Sequence, residues 1–162
     1  MKAYVLERIG DLRLKNTKKP VPKEDEVTVR IKACGICGSD IPRIYQNGAH
    51  RMPLVLGHEF SGEVTEIGKK ANERFLYKRV GVFPMIPCRE CAACRIGKYE
   101  LCRNYSYLGS RRDGGFAEYA VVPAANLIEL PDAVSFKAAA MLEPMAVAVH
   151  AMRRTLPCME DR

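Results

Sequence analysis

The sequence predicts a mainly β fold with short helices, in which an irregular or barrel-like sheet assembly carries a cysteine-rich loop lobe and one C-terminal helix. The β prediction rests on alternating apolar and polar residues from Val27 to Lys32, the period-two pattern of a half-buried strand. The lobe is predicted over about residues 84–106, where this alternation stops and four cysteines occur. The helix is predicted from Ser135, where Ala, Met, Leu and Val take a helical register.

The strand pattern that begins at Val27 is ended by glycines, Gly35 and Gly38. Further strands are predicted at residues 62–67, 80–83 and 116–122, because each of these apolar runs is bounded by Gly, Pro or Asn. The spacing of these short strands indicates a barrel-like or irregular sheet.

The C-terminal helix contains a proline, Pro144, which predicts that the helix restarts after Glu143. The helical register continues to about Arg154, and residues 155–162 carry no pattern. We therefore expect one domain over residues 1–154 and an unpatterned tail after it.

The composition favours one soluble globular domain. At 162 residues, 48% hydrophobic and 28% charged, the chain can bury a core, and it has neither a membrane-spanning apolar run nor a disordered composition. The net charge of +7 is spread over short groups such as Lys69–Lys70, without the basic stripe of a nucleic-acid-binding surface. We expect a cytoplasmic protein with no nucleic-acid or membrane partner. In that reducing compartment, seven cysteines favour metal binding or thiol chemistry over disulfides.

Four of the cysteines form a C-x2-C-x2-C-x7-C motif: Cys88, Cys91, Cys94 and Cys102. Four thiolates this close in sequence can surround one zinc ion, and four protein ligands leave no position for water, so the motif predicts a structural zinc site. Two alternatives remain. The cysteines could be small core residues, or they could hold an iron–sulfur cluster, although the final interval differs from the ferredoxin run and no proline follows Cys102.

A second candidate constellation is scattered along the chain, and each member sits at a break in regular structure: Cys37, His58, Glu59 and Glu143. Together they offer the sulfur, nitrogen and oxygen ligands of a catalytic zinc with an open position, although each is weak taken singly. Cys34 and Cys37 form a C-x-x-C pair after a strand, so a thiol–disulfide redox pair is an open alternative for this segment.

Several motifs in order carry a family resemblance: GICGSD, LGHEFSG, the four-cysteine lobe and GGFAEY. The chain resembles the zinc-dependent medium-chain alcohol and polyol dehydrogenases from Met1 to about Arg154, and it is most similar to their polyol and polyol-phosphate branch. The resemblance implies the GroES-like irregular β-barrel of the catalytic domain, with the structural-zinc lobe at about residues 84–106.

The resemblance also implies residue roles. It makes Cys37 and His58 ligands of the catalytic zinc, with Glu59 as a ligand or a close neighbour, and it places Glu143 of the LEP motif at the same ion. Two catalytic residues are expected in the GSD motif: Ser39, which relays the substrate proton, and Asp40, which orients the ligand histidine.

The implied activity is oxidation of a secondary alcohol of a polyol or polyol phosphate, with galactitol 1-phosphate as the expected substrate, hydride transfer to NAD, and two zinc ions per chain. A homo-oligomer is also expected. The candidate cationic partners of a substrate phosphate are four arginines: Arg43, Arg51, Arg111 and Arg112.

The sequence departs from the family because it has no glycine after Gly115, whereas the coenzyme-binding Rossmann domain opens with a glycine-rich turn. We therefore expect that the coenzyme domain is absent, that the chain is an incomplete fragment, and that the isolated chain is inactive. The alternative functions are a non-catalytic zinc-binding association module and a thiol redox protein that uses Cys34 and Cys37.

Overall fold

The computed structural model describes residues 1–155. Ten strands are present among them: β1 (Lys2–Arg8), β2 (Asp11–Asn16), β3 (Glu26–Gly35), β4 (Leu54–Val55), β5 (Glu59–Ile67), β6 (Arg79–Val82), β7 (Met85–Ile86), β8 (Ser106–Tyr107), β9 (Tyr119–Pro123) and β10 (Leu127–Glu129). The strands form three antiparallel sheets with the orders β2-β1-β4, β10-β6-β5-β3-β9 and β7-β8. The prediction of a mainly β fold is confirmed.

The five-stranded sheet holds the main core because the apolar side chains of its strands meet on one side. Val27 and Val29 of β3 are fully buried there, together with Phe60 and Val64 of β5 and Val80 of β6. Both faces of β3 are buried over its first four residues, so the alternation seen in the sequence corresponds to alternating exposure only from residue 30 onward.

The helices are few and short: α1 (Asp40–Pro42), continued by a π-turn over Arg43–Asn47, α2 (Ala92–Arg95), α3 (Phe136–Ala140) and α4 (Leu142–Thr155). Helix α3 packs on β3 and β5, and the Ser61 hydroxyl donates a 2.6 Å hydrogen bond to the Phe136 carbonyl. Ser135 caps α3 by accepting a hydrogen bond from the amide of Ala138. No helix within residues 1–155 is long and apolar enough to cross a membrane.

Several boundaries differ from the predicted ones. Helix α4 starts at Leu142, so Pro144 lies in its first turn, where a missing amide hydrogen costs no helical hydrogen bond. Strand β9 starts at Tyr119 rather than at residue 116, because the preceding residues turn away to form a bridge between Ala117 and Ala3 of β1. The predicted lobe is closed at its base by β7 and β8. Most of the predicted tail lies outside the described residues.

Candidate metal centres

Cys37 lies two residues after the end of β3. Strand β3 pairs with β5 so that Gly35 stands opposite Glu59. A Cβ atom at residue 35 would lie 2.3 Å from Oε2 of Glu59, so a larger residue there would displace this carboxylate. The chain then turns at Cys37, whose carbonyl accepts a 2.9 Å hydrogen bond from the amide of Asp40.

His58 is held by a close approach of two loops. Gly57 has φ of 89°, a left-handed conformation that glycine adopts without strain, and its carbonyl accepts a 2.8 Å hydrogen bond from the amide of Gly115. A Cβ at Gly114 would lie 2.0 Å from the same carbonyl oxygen. The glycines of the two motifs, LGHEFSG and GGFAEY, therefore let the loops touch and fix the start of β5.

The structure brings together three of the four residues predicted for a catalytic metal. One ligand atom each from Cys37, His58 and Glu59 lies within 4.8 Å of the others. His58 and Glu59 are 4% and 7% exposed, and Nδ1 of His58 is buried without a hydrogen-bond partner in the described part of the chain. A mixed sulfur, nitrogen and oxygen set around a buried imidazole suits zinc.

The carboxylate of Asp40 lies next to this cluster. Its side chain is completely buried, and its carboxylate accepts hydrogen bonds of 3.1 Å from the amide of Cys37 and 3.1 Å from Nη1 of Arg43. Oδ1 also lies 3.6 Å from Nδ1 of His58. The carboxylate therefore holds the cysteine turn by a hydrogen bond, and it lies beside the imidazole just beyond hydrogen-bond distance, where carboxylates adjoin metal-binding histidines.

Ser39, the predicted proton relay, lies on the same turn. It is exposed, and its amide lies 3.5 Å from Sγ of Cys37. The hydroxyl makes no capping hydrogen bond to α1. Its position beside the cysteine and its access to solvent are the two properties that a relay needs, and the role itself stays a prediction.

Glu143 contributes no atom to the group in which the ligand atoms of Cys37, His58 and Glu59 lie within 4.8 Å of one another. Its Oε1 accepts a 3.2 Å hydrogen bond from the hydroxyl of Tyr107. The Tyr107 ring meets the His58 ring edge-on, with centroids 5.7 Å apart. Burial and the Glu143 carboxylate raise the pKa of Tyr107 well above its usual value, so the hydroxyl stays protonated and can donate.

Tyr107 is the site residue that sequence reasoning missed. It belongs to no motif, and its partner Glu143 follows 36 residues later in the chain. The only available signal was its place directly after the cysteine lobe, which says nothing about the direction of its side chain.

The four lobe cysteines also come together. Their ligand atoms lie within 4.8 Å of one another. The Sγ of Cys88 lies 3.9 Å from that of Cys94 and 3.5 Å from that of Cys102, and both of these partners are buried. Two of the four sulfurs come from one short element, because Cys91 directly precedes α2 and Cys94 lies within it.

Backbone amides favour the thiolate form of two lobe cysteines. The amide of Cys94 is the main cause that lowers the pKa of Cys91 to about 6, and the amide of Cys88 is the main cause that lowers the pKa of Cys102. Burial raises the pKa of Cys94 to about 12. Some of the sulfurs are thus easily deprotonated, and a metal ion would take the place of the remaining protons.

The four candidate phosphate-binding arginines differ in their surroundings. Arg51 forms a 2.9 Å ion pair with Asp113, Arg112 pairs with the buried carboxylate of Glu26, and Arg111 stacks on the ring of Tyr105. Arg43, in contrast, pairs with Asp40 at the metal cluster. Of the four, Arg43 is the one that this geometry connects to the site.

Comparison with known proteins gives the family. Residues 23–132 match the model of the alcohol dehydrogenase GroES-like domain. The chain belongs to this family. Its structure confirms the predicted GroES-like fold of the medium-chain dehydrogenases, which is mainly β with few short helices.

Individual relatives are polyol and alcohol dehydrogenases. The chain is 41% identical over 159 residues to galactitol 1-phosphate 5-dehydrogenase of Escherichia coli K12, covering 98% of this chain and 46% of the relative. The crystal structure of galactitol-1-phosphate dehydrogenase from Escherichia coli superposes with a TM-score of 0.90 at 42% identity, over 94% of this chain and 44% of that one.

A second solved structure contains a coenzyme. It is the alcohol dehydrogenase rspB from Escherichia coli CFT073, complexed with NADH, with a TM-score of 0.89 and 38% identity over 96% of this chain and 46% of that one. The chain thus spans a little under half the length of the relatives it matches.

The surroundings of Cys34 weigh against a thiol redox pair. Burial, followed by the charges of Asp40 and Glu59, raises the pKa of this thiol from 9.0 to about 12. Because the thiolate is the nucleophile, this shift lowers the reactive fraction near neutral pH about a thousand-fold. A resting thiol this basic is a poor partner for disulfide exchange with Cys37.

We expect Cys34 to resist alkylation by iodoacetamide at pH 8 and to become reactive only as the pH approaches its raised pKa. Peptide mass spectrometry of the native chain, with N-acetylcysteine as the reference thiol, measures this rate. Alkylation of Cys34 as fast as the reference, or a reversible Cys34–Cys37 disulfide, would restore the redox hypothesis.

Proposed function

We propose that the chain is the zinc-binding catalytic domain, over residues 1–154, of an NAD-dependent dehydrogenase that oxidises a secondary alcohol of a polyol or polyol phosphate. The supporting observation is the convergence of Cys37, His58 and Glu59 within 4.8 Å around a buried imidazole. Three protein ligands of mixed type are the usual set of a catalytic zinc, which keeps one position for substrate.

The residues around the cluster have separate tasks in this proposal. When bound, zinc supplies Lewis acidity, which lowers the pKa of a hydroxyl group held at the open position. Asp40 keeps His58 and the Cys37 turn in place through its buried carboxylate. Ser39 is exposed beside Cys37 and can accept the hydroxyl proton and pass it to water.

Galactitol 1-phosphate is the proposed substrate, because a relative of that specificity matches almost the whole chain. Arg43 is the proposed contact for the phosphate, since its guanidinium reaches the site while the other candidate arginines pair or stack elsewhere. The coenzyme is proposed to be NAD, in keeping with the NADH-bound relative.

Cys88, Cys91, Cys94 and Cys102 are proposed to bind a structural zinc ion. The four sulfurs lie within 4.8 Å of one another, and four thiolate ligands would fill the tetrahedral coordination of zinc and leave no position for substrate. This assignment separates an ion that stabilises the lobe from an ion that takes part in the reaction.

Metal content tests both assignments. We expect elemental analysis of the chain, purified without added metal or chelator, to find zinc at both clusters. Replacement of Cys37 by serine should remove the zinc of one cluster only, because the lobe ligands stay intact. Replacement of the partly buried Ser106 by alanine, outside both ligand sets, is the matched control.

The other results are equally informative. Zinc content that is unchanged in the Cys37→Ser variant would show that this cysteine is not a ligand and would remove the proposed catalytic site. Iron in place of zinc at the lobe would favour the iron–sulfur alternative. Zinc at the lobe alone in the unsubstituted chain would favour the non-catalytic association module.

A further inference from the structure

Tyr107 contacts both His58 of the proposed metal site and Glu143, whose carboxylate is not part of that site. Its hydroxyl donates a 3.2 Å hydrogen bond to Oε1 of Glu143, and its ring packs edge-on against His58 at 5.7 Å. One side chain therefore contacts both a proposed ligand and a carboxylate outside the proposed ligand set. The role inferred below for Tyr107 rests on the proposed zinc site.

Glu143 is a candidate for two different positions. A carboxylate can bind zinc as a fourth protein ligand, which would complete the tetrahedron and leave no position for a substrate hydroxyl. In the structure, its oxygen instead accepts the Tyr107 hydrogen bond and is not one of the mutually close ligand atoms. The hydrogen bond from Tyr107 restrains this carboxylate, because moving Oε1 away from its present position would break that bond.

We infer that Tyr107 is a positioning residue whose hydroxyl holds the Glu143 carboxylate beside the cluster of Cys37, His58 and Glu59, so that the fourth coordination position stays open. The hydroxyl acts on Glu143 and not on the metal. Without it, the carboxylate is free to move onto the open position.

The backbone of Tyr107 is fixed independently of its hydroxyl group. Tyr107 pairs with Met85 between β8 and β7. Its carbonyl accepts hydrogen bonds of 2.9 Å from the amide of Arg111 and 3.0 Å from the amide of Arg112. A Tyr107→Phe variant keeps these contacts and the aromatic ring against His58, so the substitution removes the hydroxyl alone.

The experiment uses the chain loaded with cobalt(II), whose visible spectrum reports coordination, and azide as the probe of an open position. The lobe cannot bind azide, since all four of its ligands are cysteines. The azide difference spectrum therefore reports on the second cluster. The variants are Tyr107→Phe, Glu143→Gln and the double variant, with Tyr105→Phe as a matched control that loses a tyrosine hydroxyl two residues away.

We expect azide to bind the unsubstituted chain and the Tyr105→Phe chain equally. Tyr107→Phe should weaken azide binding roughly ten-fold or more and tighten cobalt binding by a similar factor, within the 10–100-fold range of groups that adjoin metal ligands. The double variant should regain azide binding, because the competing carboxylate has become an amide. Glu143→Gln alone should change azide binding little.

Azide and cobalt affinities of Tyr107→Phe that equal those of the unsubstituted chain would overturn the inference while leaving the zinc site in place. The same holds if the double variant fails to recover, since the effect of Tyr107 would then not pass through Glu143. An unsubstituted chain that binds cobalt only at the lobe would overturn the proposed function and this inference together.

Discussion

Replacement of Cys94 by serine is expected to abolish zinc binding at the lobe and to leave the segment between β7 and β8 unfolded. Cys94 is buried and is one of the four clustered sulfurs, and a serine hydroxyl is a poor ligand in this position. Structural zinc sites contribute about 10–16 kcal/mol of binding free energy, which in a loop with so few buried apolar side chains is also its folding free energy.

Limited trypsin digestion measures this effect, because the lobe offers cleavage sites at Arg95 and Lys98. The Cys94→Ser chain should be cut there rapidly and should lack the lobe zinc by elemental analysis. The control is Ala92→Ser, which adds a hydroxyl at an exposed position of α2. A Cys94→Ser lobe that resists trypsin as well as the control would mean that packing, and not metal, stabilises it.

The second large effect is expected at Asp40. Replacement by asparagine keeps the shape of the side chain but removes a fully buried charge that pairs with Arg43 and faces His58. We expect zinc affinity at the Cys37, His58 and Glu59 cluster to fall about 10–100-fold, because the histidine loses its orienting carboxylate. The unpaired guanidinium adds a stability loss of about 1–3 kcal/mol.

Competition with a chromogenic chelator gives the zinc affinity, and urea unfolding gives the stability. Asp132→Asn is the control, since this exposed aspartate lies at the surface near α3 and its side chain makes no contact with the cluster. If Asp40→Asn and the control bind zinc equally well, the orienting role of Asp40 is wrong.

The parts of the site that sequence predicted best are those encoded locally. The lobe cysteines occur within 15 residues, so their spacing alone limits where the sulfurs can go. The strand β3 was visible because apolar and polar residues alternate regularly along it, although the structure buries both faces over its first four residues. The family motifs supplied the expectation that Cys37, His58 and Glu59 belong together.

What spacing could not supply was the pairing of β3 with β5. Two irregularities interrupt that register, and a one-residue slip would move Glu59 away from Gly35 and out of the cluster. The Tyr107–Glu143 contact was inaccessible for a related reason, because it depends on how α4 packs beside β8. The sequence also predicted too many arginines as candidates for phosphate binding, because it does not show which of them form ion pairs or stack on aromatic rings.

The position of β8 gives the two metal clusters a common boundary. Tyr107 closes the base of the lobe through its pairing with Met85, and its side chain faces His58 and Glu143. If an ion in the lobe orders β8 and thereby raises the affinity of the second site, then an ion at the second site raises the affinity of the lobe by the same factor, because coupling between two binding sites is reciprocal. Zinc uptake would then be cooperative, and during metal scarcity the chain would gain or lose its reactive ion over a narrower range of free zinc than two independent sites allow.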